Sequence, residues 1–548
     1  MEIQTIKKME KTAIQKSHSD FVKIGFALMF MAVVLTYSFV ANGGVSNSMF
    51  LAIAAVFGAY MSMNIGANDV ANNVGPAVGS QALTLGGAII IAAIFEAAGA
   101  FIAGGDVVKT IKNGIIDISA FGGNTDPFIW AMMAALLAAA LWLNFATVLK
   151  APVSTTHSIV GGVMGAGIAA SGFSIVSWST MGKIAASWVI SPVLGGIIAA
   201  LFLLTIKKSV VFQQDRITAA KRWVPLFVAI MAWSFITYLT LKGFKHIWPN
   251  ILNFINAHSS LELSVTDKPS FSTAYILGFI VAVVVFFVVR YHLNKNTHML
   301  ENSRKSVNKL FTIPLIFAAA LLSFAHGAND VANAIGPLAA INDAVTSGTI
   351  SSKAGIPLWV MAVGALGISL GLALYGPKLI KTVGSEITEL DQIRAFSIAM
   401  AAAITVILAS QLGLPVSSTH IAVGGVFGVG FLREWLHISE PKLLILEERT
   451  ILQDEKKLMR ALKHELLTLE AKNNKVQDDY ERIVELYQMI EVEEDKIKEA
   501  KKIIKSAKKV EYVKRDAIKK IIAAWLITVP VAAVLAAVLF YTIRGIML

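Results

Sequence analysis

The sequence predicts an all-α polytopic membrane protein, with about 12–13 membrane helices or re-entrant segments in two inverted repeats and a charged cytoplasmic helical hairpin. Three observations lead to this fold class. Hydrophobic residues make up 55% of the 548 residues and charged ones 15%, against about 45–50% and 25% in a soluble domain. The apolar residues form long runs, without the alternation typical of a barrel. Two motifs each occur twice along the chain.

Thirteen apolar runs are long enough, or nearly long enough, to cross a bilayer as helices, and the shorter ones are also compatible with re-entrant segments. Basic residues concentrate in the N-terminal arm and in the segments 207–222 and 291–310, which share one side if every run crosses. Because basic loops favour the cytoplasm, we expect a multi-pass protein of the cell (cytoplasmic) membrane with a cytoplasmic N-terminus. The runs lie near residues 21–41, 48–65, 83–104, 127–149, 157–171, 184–206, 223–242, 273–290, 311–326, 356–376, 393–412, 419–432 and 519–543.

The chain divides by composition into six segments, of which one is strongly charged. Residues 433–518 hold 38 of the 84 charged residues, and apolar side chains recur every seven residues from Leu462 to Ile504. This pattern predicts two helices that turn near Asn473–Asn474 and pack as a coiled-coil-like hairpin; a solvated linker is the alternative. The predicted segments are an N-terminal arm with an extra membrane helix (1–47), transport repeat 1 (48–206), connecting helices and loops (207–310), transport repeat 2 (311–432), the charged insertion (433–518) and the last membrane helix (519–548).

Charge, cysteine content and motif content exclude several function classes. The net charge of +12 comes mainly from loops that flank apolar runs, so it indicates membrane orientation and no nucleic-acid partner. The absence of cysteine excludes disulfides, thiolate metal sites and cysteine nucleophiles. The sequence contains no nucleotide-binding P-loop. The segment PVSTTH at 152–157 contains Ser and His but no acid that could orient the His, so it does not form a catalytic triad. We therefore predict neither an enzyme nor an organic cofactor.

The repeated motifs define a duplicated unit. GANDVANNVGP at 66–76 and GANDVANAIGP at 327–337 are identical at nine of eleven positions. PVSTTHSIVGG at 152–162 and PVSSTHIAVGG at 415–425 are identical at eight of eleven. The spacing between the two motifs is nearly the same in both copies, with 86 residues from Asn68 to Ser154 and 88 from Asn329 to Ser417. Seven predicted spans separate equivalent positions, and this odd number predicts inverted repeats of the kind that build transporters.

Three acids, Asp69, Glu96 and Asp330, fall within the apolar segments, with no central Lys or Arg to pair with them. An unpaired carboxylate at membrane depth costs several kcal/mol unless a cation or a proton neutralises it. We expect Gly66 to let the chain leave the helix and expose carbonyl oxygens beside the motif's amides. Oxygen ligands suit sodium or a proton-carrying site, whereas helix capping is the alternative role for each Asp. The predicted sodium sites at Asp69 and Asp330 comprise Asn68, Asp69, Asn72, Asn329, Asp330 and Asn333.

The proline-containing motif has the features of an anion site. Proline stops one helix, and the hydroxyl residues after it start another whose free N–H groups and positive dipole end attract anions. Simple capping is again the alternative. We expect His157 and His420 to brace this turn rather than bind metal. His326, which replaces Ile65 before the second motif, is expected to make a local polar contact, and a proton-linked role is the alternative. The predicted substrate-binding residues are Ser154, Thr155, Thr156, Ser417, Ser418 and Thr419.

At these motifs the chain resembles the inorganic phosphate transporter family, whose members carry GANDVAN and PVSTTH signatures in two inverted repeats. The resemblance covers roughly 48 to 432 and the last helix. It implies a symporter that imports inorganic phosphate with sodium or protons as coupling ions, by alternating access around a midplane site. It also implies a transport role for Glu96 and adds Thr147 and Ser410 as cation-binding candidates.

Two alternative functions stay open at this point: a sulfate permease of the related type and a proton-coupled metal-phosphate carrier. Phosphate near neutral pH donates hydrogen bonds and sulfate does not, but the motifs do not show which side chains use that difference. The expected partners are inorganic phosphate, sodium or protons and the lipid bilayer, and the sequence also allows a homo-oligomer.

Overall fold

The computed structural model describes residues 2–45, 47–149, 151, 153–245, 247–259, 264–297, 300–350, 355–386, 390–436, 439–473, 475–508 and 515–548. Pro152 of the first proline motif and Asn474 of the predicted turn lie outside these residues. The chain forms two compact units, one of Met1–Val429 with Arg515–Leu548 and one of Gly430–Lys514.

The regular structure of the described residues is helical, as the sequence predicts, apart from an isolated bridge between Ile116 and Val176. Eleven helices of the described chain are long and apolar enough to cross a membrane. The predicted runs 157–171 and 419–432 are not among them; they fall in α7 and α16, which begin at the proline motifs. The helices are α1 Glu2–Ala41, α2 Ser48–Asn68, α3 Val70–Gly79, α4 Leu85–Ala103, α5 Gly105–Asn113, α6 Thr125–Val148, α7 Thr155–Ser171, α8 Trp178–Ile206, α9 Arg216–Gly243, α10 Trp248–His258, α11 Phe271–Asn296, α12 Arg304–Leu310, α13 Thr312–Ser347, α14 Leu358–Glu386, α15 Gln392–Gln411, α16 Ser418–Leu436, α17 Ser439–Glu470, α18 Gln477–Lys508 and α19 Arg515–Met547.

The motif helix of each repeat packs tightly against a helix of the other repeat. A Cβ atom on Gly66 of α2 would lie 1.9 Å from the carbonyl oxygen of Ile368 in α14. Similarly, a Cβ atom on Gly327 of α13 would lie 2.2 Å from the carbonyl oxygen of Glu96 in α4. Only glycine permits backbones to approach this closely. The two repeats therefore form one interlocked core.

The prediction that Gly66 lets the chain leave the helix is wrong. Helix α2 continues through Asn68, and the Asp69 N–H still donates to the carbonyl of Ile65 at 2.9 Å. In the second repeat, α13 runs without interruption from Thr312 to Ser347. In the first repeat the interruption comes three residues later, at Asp69, which separates α2 from α3, and Gly66 itself is needed for close packing.

The helices that begin at the proline motifs, α7 and α16, are also held by glycine contacts. A Cβ atom on Gly165 of α7 would lie 2.1 Å from the carbonyl oxygen of Ala533 in α19. A Cβ atom on Gly428 of α16 would lie 2.0 Å from the carbonyl oxygen of Gly196 in α8. The last helix of the chain is thus part of the core that positions the first proline motif.

The charged segment forms the predicted helical hairpin, in which α17 and α18 pack together. Its buried cluster comprises Leu462, Leu466, Leu486 and Ile490. The predicted seven-residue row does not stay continuous, because Val476 is 59% exposed. The chain turns between Glu470 and Gln477, and Leu469 and Ile483 of the same row pack against the cluster from either side of the turn. A regular coiled coil stays a prediction.

Candidate functional site

The two motif aspartates are buried together at the centre of the helical core. Neither Asp69 nor Asp330 is accessible to solvent. The hydroxyl Oγ1 of Thr155 lies 2.6 Å from Oδ2 of Asp69 and 3.2 Å from Oδ2 of Asp330. The hydroxyl of Thr419 donates to the other oxygen of Asp69 at 2.7 Å, and Ser418 lies 3.4 Å from Asp330. Hydroxyls from both proline motifs therefore converge on carboxylates from both repeats.

The starts of α7 and α16 place these hydroxyls. Ser154 is the N-cap of α7, and its Oγ accepts from the N–H of His157 at 3.1 Å. Ser417 makes the equivalent contact with the N–H of His420 at 3.3 Å. Such caps leave other N–H groups of the first turn free for an anion. The oxygens of these two serines serve as caps, and their hydroxyl protons stay available as donors.

The outer asparagines of the motifs join each aspartate helix to the adjacent loop. Asn68 donates to Oγ1 of Thr147 at 2.9 Å and to the carbonyl of Ala151 at 3.3 Å. Asn329 donates to Oγ of Ser410 at 2.9 Å and to the carbonyl of Leu414 at 3.2 Å. The same bonding pattern thus occurs in both repeats and brings in both additional cation-binding candidates.

The inner asparagines cross from one repeat to the other. Asn72 donates to Oγ1 of Thr419 at 2.9 Å, and Asn333 donates to the hydroxyls of Thr155 and Thr156 at 3.1 Å each. The NH₂ groups of Asn72 and Asn333 therefore donate to hydroxyls of the opposite repeat, and their Oδ1 atoms take no part in these hydrogen bonds.

Several oxygens at this centre are buried without a hydrogen-bond partner. Burying an acceptor unpaired costs about 1–3 kcal/mol, so a group of them calls for a ligand that offers positive charge. A hard monovalent cation is such a ligand, because it is bound by carboxylate and amide oxygens. The unpaired oxygens are Oδ1 of Asn72, Asn329, Asp330 and Asn333.

Glu96, for which a transport role was predicted, contacts His326, and this contact was not predicted from the sequence. Nδ1 of His326 lies 2.7 Å from Oε2 of Glu96, and its Nε2 lies 3.0 Å from Oδ2 of Asp330. Asn73 donates to the other oxygen of Glu96 at 2.8 Å. All are buried. His326 was expected to make a local polar contact, but it links Glu96 of the first repeat to the paired aspartates.

Among the described residues, no Lys or Arg forms an ion pair with Asp69, Glu96 or Asp330. One ligand atom each from Asp69, His326 and Asp330 lie within 4.8 Å of one another. The three carboxylates can therefore be offset only by the imidazole, by protons or by bound cations.

The histidines of the proline motifs form an aromatic cluster with two tryptophans. The rings of His157 and His420 contact each other at 4.4 Å between centroids. Trp188 flanks His157 at 3.8 Å, and Trp525 flanks His420 at 3.6 Å. This arrangement fits the predicted role of bracing the turn, which stays a prediction.

Comparisons with known proteins identify the family of this chain. The profile of the phosphate transporter family matches residues 65–536. Two Helicobacter pylori proteins that carry the name phosphate permease are 47% and 48% identical over 544 residues, which is 98% of this chain and 98% of each relative. A Pyrococcus furiosus protein with the same name is 39% identical over 70% of this chain and 87% of its own length. A solved structure titled as the sodium-dependent phosphate transporter has a TM-score of 0.68 and 31% identity, covering 91% of this chain and 99% of that one.

Proposed function

The chain belongs to the phosphate transporter family, which is a family of membrane transporters and not of enzymes, and we propose that it imports inorganic phosphate together with sodium ions. In this proposal the Asp69–Asp330 centre binds the coupling cations, and the starts of α7 and α16 bind the phosphate. Access alternates between the two sides of the membrane around this centre.

The observation that carries the proposal is the pair of buried carboxylates that share one hydroxyl donor. Thr155 has a single hydroxyl proton, yet its oxygen lies within 3.2 Å of oxygens from both Asp69 and Asp330. Two ionised carboxylates that both lie within 3.2 Å of one hydroxyl oxygen repel each other strongly in an apolar interior. Cations between or beside them remove the repulsion and also bind the unpaired amide oxygens.

The charge balance supports more than one coupling cation. Asp69, Glu96 and Asp330 together carry three negative charges when ionised, and His326 offsets one of them when doubly protonated. The two remaining negative charges match two monovalent cations. The name of the sodium-dependent structural relative favours sodium, and His326 is the group through which protons would take part.

Phosphate is proposed to lie where the two helix starts face the aspartates. The hydroxyls of Ser154, Thr155 and Thr156 and of their counterparts Ser417, Ser418 and Thr419 surround this region. Thr156 donates its hydroxyl proton to the carbonyl of Val416 at 2.9 Å, and the other hydroxyls can donate to phosphate oxygens. The threonine hydroxyls can also accept a hydrogen bond from a protonated phosphate oxygen. Sulfate lacks that proton, and the family is a phosphate family, so we favour phosphate over sulfate.

Coupling follows from the use of the same hydroxyls by both ligands. Thr155 and Thr419 now donate their protons to Asp69. A cation that occupies the carboxylate oxygens releases these protons for donation to phosphate, and phosphate in turn adds negative charge that stabilises the cation. Each ligand therefore raises the affinity of the other by the same factor.

Uptake of labelled phosphate into proteoliposomes tests the proposal. We expect an inward sodium gradient to drive accumulation, and a proton gradient alone to drive less. Excess sulfate should not compete. Accumulation that follows the proton gradient and ignores sodium would contradict sodium coupling, and competition by sulfate would contradict the substrate assignment.

The hairpin of Gly430–Lys514 is proposed to mediate assembly or regulation and to supply no ligand. Each of the predicted site residues lies in the other compact unit. We expect replacement of 442–514 by a short linker to preserve phosphate affinity. A variant that folds but has lost phosphate binding would contradict this separation of roles.

A further inference from the structure

Asn73 of α3 forms a polar network with Glu96 and His326 but belongs to neither predicted ligand set. It is 1% exposed, and its Nδ2 donates to Oε1 of Glu96 at 2.8 Å. In the part of the chain that the structure describes, the Oδ1 atom of Asn73 has no hydrogen-bond partner. Burying an acceptor without a partner is unfavourable, and an apolar side chain would avoid this penalty. The presence of Asn73 therefore calls for a reason other than folding.

The packing of the two repeats identifies the counterpart of Glu96. A Cβ atom on Gly327 would lie 2.2 Å from the carbonyl oxygen of Glu96. A Cβ atom on Gly66, which has the same position in its motif, would lie 1.9 Å from the carbonyl oxygen of Ile368. Three residues later, α4 and α14 each carry a glycine that lies similarly close to the backbone of the facing motif helix. Glu96 and Ile368 therefore occupy equivalent positions.

The counterparts of the other two network residues are apolar as well. Asn73 and Ala334 are the eighth residues of the two copies of the first motif, and His326 and Ile65 directly precede these copies. Ile65, Ala334 and Ile368 are all inaccessible to solvent. The fold thus accepts buried apolar residues at all three equivalent positions. Packing alone does not require a polar network at this place.

The negative charge of Glu96 favours cations at the Asp69–Asp330 centre in either protonation state of His326. A doubly protonated imidazole lies 3.0 Å from Oδ2 of Asp330 and opposes a cation there. Glu96, 2.7 Å from the other ring nitrogen, offsets that positive charge. Beside a neutral imidazole, Glu96 instead adds a negative charge to the centre. In both cases a carboxylate at this position strengthens cation binding.

The hydrogen bond from Asn73 fixes this charge in place. A hydrogen bond donated to an ionised carboxylate stabilises the charged form and restricts its orientation. Because Asn73 donates to Oε1 of Glu96, the Oε2 atom is left to contact His326. With alanine in place of Asn73, Glu96 would lose both the stabilising donor and the contact that orients it.

We propose that Asn73 is a positioning residue, which acts through Glu96 to raise the sodium affinity of the Asp69–Asp330 centre. The proposal rests on the proposed transport function and adds a residue outside the predicted ligand sets. Because the equivalent positions of the other half are apolar, this contribution is made once in the protein. It makes the two sides of the centre unequal, although their aspartates, asparagines and hydroxyls recur in both repeats.

Sodium titration of the thermal midpoint tests the proposal without requiring transport. A ligand that binds the folded protein raises the midpoint once its concentration exceeds the dissociation constant. The midpoint of each variant is measured over a series of sodium concentrations at fixed inorganic phosphate, with choline keeping the ionic strength constant. We expect Asn73→Ala to move the sodium dependence to about tenfold higher concentration, the scale of one hydrogen bond to a charged group.

The matched control is Asn64→Ala, which removes another buried asparagine. Asn64 donates to the carbonyl of Tyr60 within its own helix at 2.8 Å, and it contacts none of the network residues through this bond. Its replacement should lower the midpoint at every sodium concentration alike. The sodium concentration that gives half of the stabilisation should therefore stay unchanged.

A double-mutant cycle shows whether Asn73 acts through Glu96. Asn73→Ala combined with Glu96→Ile places in the first half the residue types that Ala334 and Ile368 provide in the second, so the fold already accepts them. Glu96→Ile alone should weaken sodium binding. Adding Asn73→Ala to it should change the sodium dependence by less than about twofold, because the group through which Asn73 acts is already gone. A further loss of about tenfold in the double variant would overturn the proposal.

The remaining outcomes separate this proposal from the proposed function. A folded Asn73→Ala protein with the wild-type sodium dependence, or with the same shift as Asn64→Ala, would refute the positioning role alone. If Asn73→Ala does not fold, the comparison of Glu96→Ile with the double variant decides in the way just described. A wild-type midpoint that does not respond to sodium would refute both the positioning role and sodium binding at this centre.

Discussion

Replacing Asp69 by Asn tests the cation site most directly, because the substitution changes charge and hardly changes size. Asp69 accepts hydroxyl hydrogen bonds from Thr155 at 2.6 Å and from Thr419 at 2.7 Å, one on each oxygen. The amide of Asn keeps one acceptor and puts an NH₂ group opposite the other hydroxyl, which can rotate to accept instead. We therefore expect a folded protein, since the loss of a hydrogen bond is offset by the removal of a buried charge.

The effect on cation binding should be much larger. A unit charge about 4 Å from a cation contributes about 4 kcal/mol at an effective dielectric constant of about 20. Losing it weakens sodium affinity by about a thousandfold. The assays are the sodium dependence of phosphate uptake and the thermal midpoint, with Asp126→Asn, an exposed first-turn acid of α6, as the matched control. A folded Asp69→Asn protein with an unchanged sodium half-saturation would refute the assignment.

Three further predictions follow from packing and charge. Gly66→Ala should lower the thermal midpoint, because its Cβ would lie 1.9 Å from the backbone of α14. The control Gly86→Ala should leave the midpoint unchanged, because nothing lies within 4 Å of its Cβ. Equal midpoints in the two variants would refute tight packing at Gly66. Leu486 is fully buried in the hairpin, so Leu486→Ala should lower the free energy of unfolding of the hairpin by about 2–5 kcal/mol and speed amide hydrogen exchange in α17 and α18. Val484 is 57% exposed, so Val484→Ala should leave exchange nearly unchanged. Similar exchange in both variants would argue against this core. His326→Gln should flatten the dependence of uptake on pH between about pH 5 and 8, since the cluster then lacks its imidazole; an unaltered profile would exclude this histidine from proton exchange.

The duplication made part of the site predictable. Transporters built from inverted repeats bind their substrates at the interface of the repeats, so recurrence alone selected Asp69, Asp330 and the hydroxyls of both proline motifs as site candidates. The structure places those hydroxyls on the carboxylates within 3.4 Å. Selecting these candidates requires no knowledge of helix packing, because it depends only on which residues recur, whereas their contacts come from the packing itself.

The features that break symmetry were not predictable in this way. His326 and Glu96 are 230 residues apart and have no matching pair in the other copy, so no recurrence pointed to their contact. Gly66 was misread because a glycine that ends a helix and one that admits a neighbouring backbone look the same in a sequence. In the hairpin, the seven-residue row continued past a turn at which Val476 becomes exposed.

The interlocked packing of the two repeats has a consequence for how the protein is made. Gly66 lies against the backbone of Ile368, which leaves the ribosome about 300 residues later. At a synthesis rate of about 5–20 residues per second, α14 is made roughly 15–60 s after α2. During that interval Asp69 lacks the hydrogen bond from Thr419, and Asp330, which shares the hydroxyl of Thr155 with it, has not yet been inserted. In the first half alone, Thr155 is the side-chain donor to Asp69, and the second donor, Thr419, is supplied only when the second half has been inserted.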